Sequence, residues 1–575
     1  MKACNVVVVE LPSRSDPTRA KANALGLQSM LRQEGLPFST EALDSMRSPR
    51  PSDLLLIAGS PDLPAAEARL LAAVLRCSRF VWIGEAPTSG ALAGTLGLSG
   101  CKSEGVANTL YAMEIEQCPD GWTQLLAHER RLKIKYCPVL IGPPGGGKGF
   151  EEIASIRLWD GMRLGPGVLI SKGAPRSVVV PVALGWAFAF NVSHHHHTRY
   201  DLDMMDSPLQ VHSDLVRNLV RDALVWAAAP DFLLRPYYWP VTGEQIPAGA
   251  FCLNHDCCGF SPQGLRFIRQ VCRREKIRTT FFDYPGSGKA TADFRLTRAN
   301  SKEHDVALHI EDRSSFQSIQ RAKQALEELQ GRPVRGWRRH GPTLPESYPR
   351  VWRHVERAGI KWTACWGVNG GPWMLLSEGT TTGNRLPFHV MDVNKAQEMD
   401  LLELPSFESQ DAERLSSFFY GQRWSWEEFT GAVRTRFEHA ARHNLMTGYL
   451  IHVWTAGVKQ EKRHQYGARD AQRMMEWVIR YAKRHRFCIL GHEELYDWWS
   501  YRGSIRICAA GDSANVALPA GDHAVALEVL SHGGEVRSVR VDGRRVRTKR
   551  LPVRGSRLFI VEAAQCDRLL PVEVR

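Results

Sequence analysis

AFCLNHDCCGF, residues 250–260, is the stretch on which the fold turns. Its apolar start reads as the end of a buried strand. It then presents a histidine, an aspartate and two adjacent cysteines, and closes on a glycine. Such a cluster suits a metal site, a nucleophile, a redox pair, or a copy of an older site altered at Cys258. Adjacent cysteines form a disulfide only with strain, and the Cys-x-x-Cys spacing of redox motifs is absent, so Cys257 and Cys258 rank low as a redox pair.

Working outward, strand-like and helical stretches alternate from about residue 248 to residue 502. AFCLNHD, RTTFFD, VALHI, KWTACWG, LLELP and GYLIHVW read as strands, and QGLRFIRQVCRREK, FQSIQRAKQALEELQ and YPRVWRHVERAG read as helices by their apolar spacing. Six or seven strands, each followed by a helix, predict a (β/α) barrel over 248–503. Upstream, NVVVVEL, DLLLIAG and FVWIGEA alternate with helical stretches in the βαβ rhythm of an open parallel sheet, giving an α/β domain over 1–240. The apolar run VVVPVALGWAFAF at 178–190 reads as one or two buried strands. The Pro- and aromatic-rich stretch that follows reads as a linker with a boundary near Pro240. From about residue 504 the pattern is alternating strands with an Asp542-Gly543 hairpin turn, predicting a small all-β sandwich over 504–575. The expected fold class is thus multidomain α/β with an appended β module.

Bulk properties narrow the classes. The chain has 575 residues, too many for one core. Its net charge is 74 − 61 = +13, a mild bias toward anionic partners rather than a nucleic-acid signature. No apolar run is long enough for a membrane span, no secretory signal is visible, and the 13 cysteines follow no framework pattern. A cytoplasmic protein with reduced thiols is expected. Two motifs read as decoys. Gly142 to Lys148 has phosphate-loop spacing, but Gly149 stands where the magnesium-binding Ser or Thr belongs, and the following residues make a poor helix. The tract SHHHHT at 193–198 reads as a surface loop, since four consecutive imidazoles cannot all face one ion in a regular element.

The expected barrel strands end in titratable chemistry. Asp256 closes the first. EHDVALHIEDR carries His304, Asp305 and His309, VRGWRRHG carries Arg335, Arg338, Arg339 and His340, and YLIHVWTAG carries His452. Barrel active sites are built at C-terminal strand ends, so the conjunction points to a site even though each histidine alone is as well explained by packing.

In this order the segments resemble the polysaccharide deacetylase family of NodB-homology type. His255-Asp256-Cys257-Cys258-Gly259 lines up with the family's His-Asp-x-Asp-Gly, EHDVALH with its metal-histidine motif, and VRGWRRHG with its arginine motif. LLELP, YLIHVW and ILGHEELYDWWSYR resemble its later motifs. The resemblance covers roughly 248–502. It implies a metal-dependent hydrolase that removes N-acetyl groups from a glycan or glycan precursor in surface-polysaccharide biosynthesis. Asp256 would be the general base, Arg338 its ion-pair partner and His452 the general acid. The cofactor would be a divalent metal, zinc first, held by Cys258 and His309. Trp337, His340, Trp366 and Trp454 would bind the carbohydrate substrate, with core packing the alternative for the tryptophans.

Two departures stand out. The family's metal aspartate falls on Cys258, and its second metal histidine falls on Arg313, which cannot ligate. Cys258 and His309 make two ligands where a catalytic zinc takes three. His255, Cys257 or His340 would have to supply another. Two readings therefore stay open: a hydrolase with a rearranged centre, or a catalytically degenerate carbohydrate-binding or assembly protein with no metal on the same fold.

DLLLIAGSPD and FVWIGEAPTSG resemble a class I glutamine amidotransferase sheet. The nucleophile expected after VWIG is missing, which implies a scaffold or binding unit. The cationic run RSVRVDGRRVRTKRLPVRGSR at 537–557 reads first as a solvated strand face and next as a surface for an anionic glycan. Nucleic acid fits less well, because aromatics do not interleave with the arginines.

Overall fold

The valine run Asn5–Glu10 is buried along its four valines and lies one strand in from the edge of a nine-stranded sheet. In the computed structural model, which describes residues 1–46, 49–50, 52–104, 111–117, 131–134, 137–143, 149–158, 160–192, 212–241, 245–257, 261–283, 302–311, 315–340, 350–365, 384–405, 425–457, 468–520, 524–532, 536–550, 556–561 and 569–575, five strands of this sheet are parallel. Their order is Phe38–Ala42, Asn5–Glu10, Asp53–Gly59, Phe80–Gly84 and Ser177–Val180. Antiparallel strands Arg163–Ser171, Phe150–Leu158, Tyr111–Ile115 and Arg131–Ile134 continue it.

The apolar run expected as strands only partly is one. Ser177–Val180 is a strand, but Leu184–Val192 is a helix. It docks on helix Pro17–Glu34 through Gly26 and Gly185, where a Cβ on Gly26 would sit 1.9 Å from the Gly185 carbonyl oxygen. An apolar run carries no period that separates strand from buried helix, and the glycine pair that permits this contact lies far apart in sequence.

The central region forms a curled half-barrel sheet. Gly249–Asp256, Thr280–Asp283, Asp305–Glu311, Gly336–His340, Trp362–Thr363 and Gln397–Glu403 follow one another in parallel. Met446–Leu450 pairs with the other side of the first strand, and antiparallel Phe388–Asp392 forms the far edge. The first strand is buried along its whole length, which is why it reads as a continuous apolar run rather than an alternation. Return helices are delimited by local chemistry. Ser261 caps Pro262–Glu275, Ser315 caps Phe316–Gln330, and Ser425 forms a capping box with Glu428 on Trp426–His443.

The segment expected as a linker is a buried strand. Phe232–Pro236 pairs with Val525–Ser531 and so joins a sheet completed by Arg557–Val561 and Lys549–Arg550. A second antiparallel sheet runs Arg506–Ala510, Ser513–Ala517, Leu570–Val574, Val539–Val541, Arg544–Val546. Apolar side chains of the two sheets share one cluster, including Phe232, Val516, Leu527, Val541, Phe559 and Val572. Asp542 and Gly543 both have positive φ, 52° and 74°, as the expected hairpin turn requires.

The three regions meet around one buried carboxylate. Glu34, at the end of the first helix, accepts from Arg217 Nε at 2.8 Å and Tyr238 Oη at 2.7 Å and also pairs with Arg235. Arg235 reaches on to Glu528 of the C-terminal sheet at 2.6 Å. Arg502, from helix His492–Ser504 at the end of the half-barrel, donates to the backbone of Gln33 and Tyr237. No described helix is long and apolar enough to cross a membrane.

Candidate active site

Strand alternation sends Asn254 and Asp256 to one face of the first half-barrel strand and His255 to the other. On that shared face Arg338 is the organising group. It is fully buried. Its Nη1 donates to Asn254 Oδ1 at 2.7 Å and to Asp256 Oδ1 at 3.1 Å, its Nε donates to the Ala364 carbonyl at 2.9 Å, and its guanidinium lies 3.8 Å from the centre of the Phe282 ring. Parallel register sets His309 beside Arg338. His309 Nε2 lies 3.7 Å from Asp256 Oδ2, while its Nδ1 is 3.3 Å from the Arg338 carbonyl.

The last strand brings the remaining group. Ile451 N donates to the Asn254 carbonyl and Val453 N to the Asp256 carbonyl, so the chain beyond Leu450 still runs beside the first strand. His452, half-buried, emerges there, and Thr455 ties the turn by donating its hydroxyl to the His452 carbonyl at 2.8 Å. Burial pushes the Asp256 carboxyl up, but His309, Arg338 and His452 outweigh it and hold it below the usual aspartate range. The result is a buried, ionised carboxylate with Arg338 on one oxygen and His309 beside the other.

The structure thus brings Asp256, Arg338 and His309 together from three strands with His452 from the segment just beyond Met446–Leu450. Asn254 is the member the sequence reading missed. Its signal was its place two residues before Asp256 on a strand. Cys258, Trp366, Arg313 and the remainder of the 144–148 glycine loop and the histidine tract lie outside the described residues, as does the side chain of His340. Trp454 is half-buried, with its ring centre 6.1 Å from that of His452. Trp337 is elsewhere: it is 0% exposed and packs edge-on against Trp352, 5.3 Å between centres, so no ring face is open to a sugar. Asp305 sits at the opposite end of its strand, where Arg278 Nε donates to it at 2.7 Å and the Glu493 amide at 3.0 Å. His255 turns away, its Nδ1 3.2 Å from the Ile451 carbonyl and its ring 4.9 Å from that of Phe281.

A metal at this site is testable against the donors. Asp256 Oδ2 and His309 Nε2 face one another beyond hydrogen-bonding distance, but among the described residues no three His, Cys, Asp or Glu side chains come together to hold an ion. A catalytic zinc takes three protein donors, and the expected ligand Cys258 and the His340 side chain lie outside the described residues.

In the N-terminal sheet, the turn after Phe80–Gly84 carries Glu85, whose carboxylate lies 2.6 Å from Arg19. An ion pair occupies the position at which the expected resemblance places a nucleophile.

No protein-family model matches the chain, and no curated protein matches it in sequence. Among solved structures it is similar to Agd3, described as a novel carbohydrate deacetylase, at 9% identity and a TM-score of 0.40 over 99% of this chain and 98% of that one. It is similar to the catalytic domain of a peptidoglycan N-acetylglucosamine deacetylase from Eubacterium rectale, at 13% identity and a TM-score of 0.26 over 44% of this chain and 90% of that one. It is also similar to BA3943, a CE4 family pseudoenzyme from Bacillus anthracis, at 11% identity and a TM-score of 0.26 over 44% and 67%.

Proposed function

We propose that the half-barrel is a deacetylase-type hydrolytic site that takes an N-acetylated carbohydrate, in the service of surface-polysaccharide biosynthesis in the cytoplasm. The observation that supports this reading is the convergence of Asp256, His309, Arg338 and His452 at the C-terminal strand ends. Asp256 takes a proton from the attacking water. Arg338 and Asn254 fix its orientation, and Arg338 keeps it ionised until that transfer. The water oxygen bonds to the acetamide carbon, the C–N bond breaks, and His452 delivers a proton to the departing amine, leaving acetate and a free amino sugar. Trp454 offers a ring face for the sugar beside His452.

A second reading has its own observation. In the sequence, Cys258 stands where the resemblance places the metal aspartate and Arg313 where it places the second metal histidine, which suits a site that binds the sugar without turning it over. Acetate release from N-acetylglucosamine oligomers separates the two, measured beside bound-metal analysis of the purified protein. Turnover in wild type that falls at least about 100-fold in Asp256→Asn and in His452→Gln supports the hydrolase. Oligomer binding with no acetate release from wild type, with or without added zinc, replaces it with the binding protein.

A further inference from the structure

The cationic run at the C-terminus occupies a particular place in the two antiparallel sheets. Arg544–Val546 is the outermost strand of one sheet, and Lys549–Arg550 is the outermost strand of the other. The chain therefore crosses from one sheet's rim to the other's, carrying Arg544, Arg545, Arg547, Lys549 and Arg550, all exposed. Between residues 536 and 561 nine Lys and Arg side chains face a single acid, Asp542. Among the described residues, none of the cations of this stretch forms an ion pair with a carboxylate.

Positive charge on a rim strand has an ordinary purpose, which is to prevent edge-to-edge pairing. That purpose needs charge on the rim strand alone. Here the second strand repeats it: Arg540 lies directly opposite Arg545, and Arg557 directly opposite Arg550. Like charges placed directly across strands destabilise a sheet. On the sheet edged by Lys549–Arg550 no acid lies directly across from the Arg550–Arg557 pair, and on the other sheet Glu573, opposite Arg540, offsets only the inner arginine of its pair.

We propose that this rim is a docking surface for an acidic polysaccharide, a polymer bearing carboxylate groups along its length. The rim is strongly cationic: Asp542 is the one acid between residues 536 and 561, and Glu573 lies across from Arg540 on the next strand in. The one aromatic of the stretch, Phe559, is buried in the shared core, so no ring is available to stack on nucleic-acid bases. Among the described residues of the stretch no large apolar side chain is exposed, so none of these offers an apolar group to a lipid surface. The choice of a glycan among polyanions rests on the carbohydrate-directed reading of the half-barrel. It also gives the rim a direction: it attracts an acidic polymer and repels the free amines that deacetylation would expose.

The test uses the full chain and four probes: polygalacturonate, neutral dextran, double-stranded DNA and phosphatidylserine vesicles. The variant Arg544→Gln/Arg545→Gln/Lys549→Gln/Arg550→Gln is compared with Lys21→Gln/Arg69→Gln/Arg442→Gln/Arg484→Gln, which removes the same charge from exposed sites elsewhere. Polygalacturonate is expected to bind wild type, to lose at least tenfold in affinity with the rim variant, and to be unchanged by the dispersed one. Dextran should not bind. The rim variant should also melt above wild type, because both like-charge oppositions are relieved. Equal losses in the two variants, tighter binding of DNA or vesicles than of polygalacturonate, or no polygalacturonate binding would each overturn the proposal. Asp256→Asn should bind polygalacturonate as wild type does, so failure of the hydrolase reading and failure of the rim are separately visible.

Discussion

Arg338→Met tests the assembly of the site most directly. Methionine keeps much of the side-chain length but removes donors to Asn254, Asp256 and the Ala364 carbonyl, all buried. The carboxylate of Asp256 then stays in the interior with the His309 imidazole 3.7 Å away. Removing one member of a buried ion pair costs about 3–5 kcal/mol. At about 1.4 kcal/mol per tenfold, that corresponds to a loss of roughly two to four orders of magnitude in amide-exchange protection along strand Gly249–Asp256 at pH 7. The effect should depend on pH. In wild type, Asp256 titrates below the ordinary aspartate range, so its contribution to stability is complete above that range and is lost as pH falls through the lowered value. In the variant, burial dominates and the carboxyl titrates higher. At pH 4 it is largely neutral, the uncompensated charge is gone, and the deficit relative to wild type should shrink. Asp256→Asn added to Arg338→Met should recover part of the loss at pH 7. A deficit below about 1 kcal/mol, or the same deficit at pH 4 and pH 7, would refute the view that this ion pair holds the site together.

The junction at Glu34 makes a second prediction. Glu34→Gln removes the charge that Arg217 and Arg235 share, and should lower stability by about 3–5 kcal/mol, read as a fall in the urea midpoint. Unchanged midpoints would show that the regions do not depend on this network. Acid sensitivity makes a third. Burial holds the His304 imidazole down at about 4, so on acidification from about 6.5 the unfolded chain gains a proton that the folded chain does not. Stability should fall across that window, and His304→Gln should flatten the fall; parallel pH curves would count against it.

How much of this was legible beforehand depends on range. Periodicity is local, so the βαβ rhythm of the first region, the succession of half-barrel strands, the helices at 262–275 and 316–330 and the Asp542-Gly543 turn could be read from neighbouring residues. The expectation that Asp256, Arg338, His309 and His452 close their strands was also local: Asp256 ends Gly249–Asp256, Arg338 and His309 lie within Gly336–His340 and Asp305–Glu311, and His452 lies just beyond Met446–Leu450. What pattern could not reach depends on which distant segments touch. The run 178–190 divides into strand and helix because Gly185 meets Gly26. The segment 232–236 is a strand and no linker because its partner lies nearly 300 residues on, at 525–531. Trp337 is lost to the core because Trp352 waits beside it, and Asn254 joins the site because Arg338 needs a second acceptor. The sequence by itself set most of the local elements and the chemistry they carry, but not the element type at 178–190 or 232–236. The tertiary structure alone decided which of those groups face one another, because burial and opposition of charge arise between residues that no local pattern connects.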